Sequence, residues 1–505
     1  MLDSVHLARN RAVFESLLAR LESPLPVADK LRIARQAALM AVETGTGYYS
    51  SDILERFYMQ LGAANPAPLE EEPVKGTCLL VMTEAYNVGG HTRVAERWIE
   101  TDRARRYSLA LTRPPHVPIP DRLRNAVEAS GGEVFVMDKG DLSADGAALR
   151  SLSSRFESVL LFVHMYDPLP LVAYGVDAFR RPVGFYNHAD HDFWLGVGVA
   201  DLVVDLRKWG ACLTRNVRGA TASYTLAIPV DAHRHENPGR DAARARLGLP
   251  IDRKLVLTVG SAFKYKPLAG HDFLDAVEPL LGADSAVDLV GIGMTFDDLP
   301  GWRCLERRHP GRVKAMGTVP HERLFDYMYA ADLLLDSYPV SGPTTLADAV
   351  RAGVPILARP GPIGLQDWLD GSKACCPTAK AMTAAAQTLL SNPDLADRHV
   401  AALRSRLEAI GGEDVFRSGI DAFFRALLSK EHSLHAFKPR FDGFGDLDAY
   451  FLHVNRRSKC RIRLARVLAF FKESDAAGRW RALELLGRRF EYGWRPSVPR
   501  SASSK

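Results

Sequence analysis

Between Leu333 and Ala358 the chain spells a strand, a broken loop, a helix and a second strand, the most informative stretch of the sequence. Leu333-Leu334-Leu335 is a short apolar run of the kind that forms a buried strand, and it ends at Asp336. Pro339, Gly342 and Pro343 then interrupt the backbone. Thr344 and Thr345 open a helical pattern through Leu346, Ala349 and Val350, which Gly353 and Pro355 end before a strand from Val354 to Ala358. Two strands joined through a helix belong side by side in a parallel sheet. Unpaired N–H groups at such a helix start, with two hydroxyls beside them, make a seat for a phosphate or diphosphate. Asp348, one helical turn past Thr344, reaches as far as a ribose hydroxyl.

The same alternation runs through most of the chain. Expected strands are Thr77 to Thr83, Ser108 to Thr112, Glu133 to Asp138, Ser158 to His164 and Pro182 to Asn187. The series pauses over Ile228 to Gly248, then resumes with Lys254 to Gly260, Val287 to Gly293, Arg312 to Gly317, Asp332 to Asp336 and Val354 to Ala358. At 505 residues the chain exceeds a single core. The economical organisation is two facing, doubly wound Rossmann-like domains, 75–230 and 250–430, with ligands in the cleft at their strand ends. A helical segment at 1–65 precedes them, joined by a proline- and glutamate-rich linker, and a helical tail at 431–505 follows.

The net charge of +5 conceals an asymmetry: residues 431–505 hold 16 Lys+Arg against 8 Asp+Glu, which leaves the rest of the chain near −3. Arg461, Arg463 and Arg466 alternate with Ile462, Leu464, Val467 and Leu468, as in a helix that rests on anionic lipid, or one that packs back across the two halves. With the basic excess confined to this tail and no recognisable module, nucleic-acid binding is not expected. No apolar run approaches the ~20 residues of a membrane span. The first residues lack a secretory h-region, and the six cysteines show no zinc spacing. A reduced cytoplasmic protein, at most peripheral at the inner membrane face, is the expectation.

Three further loops carry candidate chemistry. The strand ending at Gly260 runs into G-S-A-F-K-Y-K-P, where Lys264 and Lys266 can neutralise a diphosphate. In the first half, E-A-Y-N-V-G-G-H-T-R holds Gly89, Gly90 and His91, a turn that lets a bound group lie against a helix start, or simply a tight strand-to-helix turn. Another strand leads into Y-N-H-A-D-H-D-F-W-L-G, where His188, Asp190 and His191 form a dense titratable set. A histidine oriented by a carboxylate can take a proton from a hydroxyl, and a hydrogen-bonded wall of the cleft is the plainer alternative. His164 ends the preceding strand on the same edge. His321, after Pro320, opens a helix and is a candidate contact to base or phosphate. No third ligand follows at metal spacing, so no metal and no cofactor are expected.

These segments resemble the GT-B glycosyltransferases, and within them the O-GlcNAc transferase branch and its bacterial relatives. The likeness covers roughly residues 75–370 and is best in the second half. The branch's G-H-T-T-x-x-D segment corresponds to Gly342-Pro343-Thr344-Thr345-Leu346-Ala347-Asp348. The resemblance implies that the threonines bind a diphosphate, the aspartate a ribose, and Lys266 the leaving group; Pro343 replaces the branch's histidine. It further implies a UDP-sugar as substrate, with donor contacts from Gly260, Lys264, Lys266, His321, Gly342, Thr344, Thr345 and Asp348. Gly89, Gly90, His91 and His164 then fall on the acceptor side, with His188, Asp190 or His191 as base. The branch's long helical repeat array has no counterpart in residues 1–65. The E-x7-E pair of the polysaccharide-building glycosyltransferases is also incomplete, since Asp348 takes its second position and no glutamate the first. The expected function is transfer of N-acetylglucosamine or a hexose to a glycan, a lipid-linked saccharide or a protein. A non-catalytic sugar-nucleotide-binding protein is the alternative from another class.

Overall fold

The computed structural model describes residues 2–65, 72–86, 90–229, 236–268 and 270–439. Gly89 and the basic tail from residue 440 on, with Arg461, Arg463 and Arg466, lie outside the described residues, as does the side chain of His321.

Two parallel sheets form. The first contains β1 (Val74–Met82), β2 (Arg106–Leu111), β3 (Val134–Val136), β4 (Phe156–Phe162), β5 (Val183–Asn187), β6 (Leu202–Asp205) and β7 (Ser223–Thr225), in the order β3-β2-β1-β4-β5-β6-β7. The second contains β8 (Lys254–Val259), β9 (Val287–Ile292), β10 (Val313–Ala315), β11 (Leu333–Leu335) and β12 (Ile356–Leu357), in the order β10-β9-β8-β11-β12. Strand order reverses between β1 and β4 in one sheet and between β8 and β11 in the other. A crevice opens at such a switch point, beyond the carboxyl ends of the strands. The loops after these four strands are therefore the ones placed to meet a ligand.

Along β1 the side chains alternate between two cores. Leu79 and Val81 join a core shared with the N-terminal helices Leu2–Glu22, Val27–Thr44 and Asp52–Ala63, through residues such as Phe14, Ile33 and Tyr58. Cys78, Leu80 and Met82 face the other way, toward the helices Gly90–Thr101 and Glu413–Leu428. The N-terminal helices thus complete the core of the first half. Two buried charges fix them there. Arg150, 1% exposed, donates to the carbonyls of Gly62, Asn65, Val172 and Ala173 at 2.7–3.0 Å. Glu55 accepts the amides of Gly196, Val197 and Gly198 at 2.7–3.0 Å. Burial pushes the Glu55 carboxyl up to about 7, against the pull of those amides.

The last described helix, Glu413–Leu428, follows the second sheet in sequence yet packs on the first. Trp98 is its anchor: Phe416, Phe423 and Phe424 meet the indole ring at 5.7–6.3 Å between centroids, close to perpendicular. Burying a side chain of this size is worth roughly 4–6 kcal/mol of transfer free energy. The indole N–H donates to the Tyr107 hydroxyl at 3.1 Å, so the buried polar atom is satisfied. No described helix is long and apolar enough to cross a membrane.

Candidate active site at the cleft between the halves

The loop after β11 and the helix Pro343–Ala352 form the second half's side of the crevice. Gly342 caps this helix without a side-chain cap, and its own N–H donates to Asp336 Oδ1 at 2.9 Å. Pro343 has no N–H, and Leu346 already bonds the Gly342 carbonyl. The amides of Thr344 and Thr345 therefore remain at the positive end of the helix with no side chain capping them. Asp336 is 3% exposed. Burial pushes it up to about 6, although the Ser341 hydroxyl, the Gly342 amide and Lys264 all pull it down.

Lys264 reaches the same point from the loop after β8. Its Nζ donates to the Ser341 carbonyl at 3.0 Å. A methyl group on Gly342 would lie 3.6 Å from that Nζ, from Asp336 Oδ1 and from Ser337 Oγ. A cation thus stands beside the open end of the helix. Burial lowers the lysine's proton affinity and Asp336 partly restores it. The loop is held by Tyr265, whose hydroxyl bonds Thr258 Oγ1 at 2.9 Å and whose ring packs edge-on against Phe273 and Trp302. Gly260 fits because Lys264, Tyr265 and Ser337 all crowd the place of a side chain at 3.2 Å. Lys266, which the resemblance favours for the leaving group, is half-buried two residues further along. The contact to the 341–342 turn comes from Lys264.

A cavity of about 230 Å³ joins the two halves at this helix. Thr344, Thr345 and Asp348 line one side, and Gly90, Arg93 and Arg97, from the first helix after β1, line the other. The glycine turn and the threonine turn, some 250 residues apart in sequence, therefore share one space. Arg93 and Arg97 carry no motif that marks them in the sequence.

The histidines collect at the carboxyl ends of β1, β4 and β5. The His91 and His188 rings lie 4.1 Å apart, and His91 also meets Phe162 at 5.7 Å. His164 stacks parallel to Tyr86 at 6.1 Å. Burial lowers the proton affinity of all three, His91 to about 3 and His188 well below its ordinary value, and repulsion from the neighbouring histidines adds to it for His91 and His188. His91 Nε2 and His188 Nδ1 are buried with no hydrogen-bond partner among the described residues. These are neutral rings that present acceptor nitrogens.

Asp190 and His191 have a different environment. Both oxygens of Asp190 are taken by Arg207, at 2.6 Å from Nε and 3.0 Å from Nη2. Neighbouring His191 and Arg207 hold this carboxyl far below its usual range despite its burial. Asp190 is therefore held as an anion, with both oxygens paired to Arg207 and His191 beside it. His191 lies between carboxylates, with Nδ1 3.5 Å from Asp190 and Nε2 4.0 Å from Asp192. Those charges raise its proton affinity above the ordinary value, although burial opposes them. A second buried arginine, Arg218, donates to the carbonyls of Asp190 and Asp192 at 2.7 and 2.6 Å and fixes the loop backbone. Neither Arg207 nor Arg218 stood out in the sequence, because β6 and β7, which flank them, are short and were not recognised.

No protein-family model matches the chain. Over 196 residues it is 29% identical to TuaC of Bacillus subtilis, named as a teichuronic acid biosynthesis glycosyltransferase; the match covers 38% of this chain and 46% of that protein. Over 204 residues it is 29% identical to the D-inositol 3-phosphate glycosyltransferase of Streptomyces griseus, with 37% and 43% covered. The chain thus spans less than half the length of these curated relatives. Among solved structures, a Thermobaculum terrenum O-GlcNAc transferase mutant superposes with a TM-score of 0.51 at 15% identity, covering 84% of this chain and 82% of that one. A glycosyltransferase of Rickettsia africae gives 0.53 at 10% identity, over 71% of this chain and all of that one. HepE of Anabaena, in complex with UDP and glucose, gives 0.52 at 12% identity, over 70% of this chain and all of that one. At these identities the likeness is one of fold: two facing Rossmann-like domains of the GT-B type.

Proposed function

We propose that the chain is a glycosyltransferase that moves N-acetylglucosamine or a hexose from a UDP-sugar to an acceptor hydroxyl, in the making of a bacterial surface polysaccharide or lipopolysaccharide. One observation carries this reading: Lys264 bonds the turn that leads into a helix start, and Thr344 and Thr345, whose amides no side chain caps there, line a cavity shared with Asp348 and Gly90. A nucleoside diphosphate fits these groups, with phosphate oxygens on the amides and the ammonium and the ribose on Asp348. As the glycosidic bond breaks, negative charge grows on the diphosphate, and pre-placed donors in a half-buried site stabilise it without reorganising. Lys264 and the helix end supply that positive charge, so the transfer proceeds without a metal ion. On the acceptor side, His191 accepts the hydroxyl proton while Asp190 holds the ring and stabilises the imidazolium. His91, His164 and His188 stay neutral and bind acceptor or sugar hydroxyls.

The name of one curated relative, for teichuronic acid biosynthesis, favours a saccharide acceptor. A protein acceptor is the second reading, favoured by the G-x-T-T-x-x-D segment and the fold shared with an O-GlcNAc transferase. A panel of nucleotide sugars, followed by calorimetry and UDP release with and without EDTA, tests the proposal. UDP binding in the micromolar range with EDTA-resistant turnover is the expected result. Binding without turnover on any acceptor class would leave a sugar-nucleotide-binding protein, and absence of UDP binding would end the reading altogether.

A further inference from the structure

Arg207 does more than neutralise Asp190. It follows β6 in the first half, is 5% exposed, and its remaining nitrogen crosses to the second half. Nη1 donates to the Ile363 carbonyl at 2.6 Å and reaches the Leu365 carbonyl at 3.4 Å. The next residue repeats the crossing, since the Lys208 amide donates to Asp367 Oδ2 at 3.0 Å. Trp209 lies under the Arg207 guanidinium at 4.7 Å and against Gly364, whose φ of +67° is one that glycine adopts without strain. Loop 361–367 leaves β12, the strand that follows the helix Pro343–Ala352. One planar guanidinium thus holds the carboxylate that orients His191 with one edge and the second half's loop with the other.

We infer that Arg207 is a positioning residue that couples the seating of the second half to the placement and proton affinity of His191. The inference rests on the glycosyl-transfer reading above and extends it: acceptor activation is complete only when the two halves are together. A planar fork is required, because a lysine can serve the carboxylate or the carbonyls but not both at fixed angles. The charged groups facing His191 are Asp190 and Asp192 on its own loop and Arg207 from the turn after β6; Arg218 and His188 lie around them. With Arg207 gone, Asp190 is left uncompensated against His191, so the imidazole binds its proton more tightly. The acid limb of the rate profile then moves to higher pH.

The test compares wild type with Arg207→Met, Arg207→Lys and Asp367→Ala. Arg207→Met is expected to lower kcat by about 10- to 100-fold, the range for small misplacement of a reacting group. UDP affinity should stay within about twofold of wild type, since the arginine touches no group assigned to donor binding, and the acid limb should shift upward. Arg207→Lys should recover the position of the acid limb but only part of kcat. Asp367→Ala, which removes the companion contact from a partly exposed side chain, should lower kcat severalfold at unchanged melting temperature; it stands in should Arg207→Met fail to fold. Wild-type kcat and an unmoved acid limb in Arg207→Met, or wild-type kcat in both Arg207→Lys and Asp367→Ala if the first does not fold, would overturn the inference. Proton NMR titration of His191 with and without UDP needs no turnover. UDP should move that titration in wild type and not in Arg207→Lys, and equal shifts in both would refute the coupling. A chain inactive on every donor would sink the transferase reading and still leave the latch to this measurement.

Discussion

Replacing Lys264 by methionine removes one charge from the centre of the proposed donor site while keeping the packing of its stem. A lysine ammonium about 4 Å from a phosphate charge, at an effective dielectric constant of about 20, gains about 4 kcal/mol. Part of that is offset, because Nζ already bonds the Ser341 carbonyl and faces Asp336 before any ligand arrives. The net loss should resemble that of one hydrogen bond to a charged group, roughly 1.5–3 kcal/mol. Calorimetry would then find UDP bound about 10- to 100-fold more weakly. Turnover should suffer further, by about 10²- to 10³-fold, because the charge on the leaving diphosphate is largest in the transition state. The folded chain loses the Ser341 bond and the charge that faces Asp336 but no longer buries an ammonium, about 1 kcal/mol in net, so its melting temperature should fall by no more than a few degrees. Lys266→Met is the internal control and should weaken UDP less. UDP binding within twofold of wild type in Lys264→Met, or a larger loss in Lys266→Met, would refute the placement of the cation at Lys264.

Asp348→Ala should weaken UDP by about 10- to 100-fold, the cost of a lost charged hydrogen bond, and should abolish discrimination between UDP and its 2′,3′-dideoxy analogue; retained discrimination would place the ribose elsewhere. Trp98→Ala should destabilise the chain by about 3–5 kcal/mol in urea titrations, since it empties the seat of three phenylalanines, and a loss below 1 kcal/mol would mean that the Glu413–Leu428 helix is held by something else. Because His91 is lowered to about 3 and His188 is lowered too, the unfolded chain binds protons that the folded chain does not once the pH falls below about 6.5. Their contribution to stability is therefore intact above that pH and is lost on acidification, by up to about 1.4 kcal/mol per pH unit for each ring. His91→Phe should flatten this acid slope in denaturant titrations, and an unchanged slope would contradict the burial argument.

Most strands were legible because each is a short apolar run bounded by turn residues. Lys254 to Gly260 was expected and β8 spans Lys254–Val259; Pro182 to Asn187 was expected and β5 spans Val183–Asn187. β6 and β7 were missed for a physical reason. Leu202–Asp205 has only three apolar residues, and Ser223–Thr225 is largely polar, so neither stands out from its surroundings. Asp336 was visible as the end of a strand, but its capping of Gly342 depends on a turn that folds back across six residues. The histidine loop was legible as a titratable cluster. The division of labour within it was not, since burial and Arg207 decide it, and both come from distant parts of the chain.

The sequence by itself determined the parallel α/β alternation in two series and the strand–turn–helix seat at 336–348, because periodicity and turn chemistry act over a few neighbouring residues. Tertiary structure alone decided that Lys264 bonds the 341–342 turn, that Gly90 faces Thr344 across a cavity, and that Asp190 is paired with Arg207. It also decided that the N-terminal helices and the Glu413–Leu428 helix complete the first half's core. Each of these is a contact between segments far apart in the chain, set by which faces pack and which charges lose their water, and no local pattern records that choice.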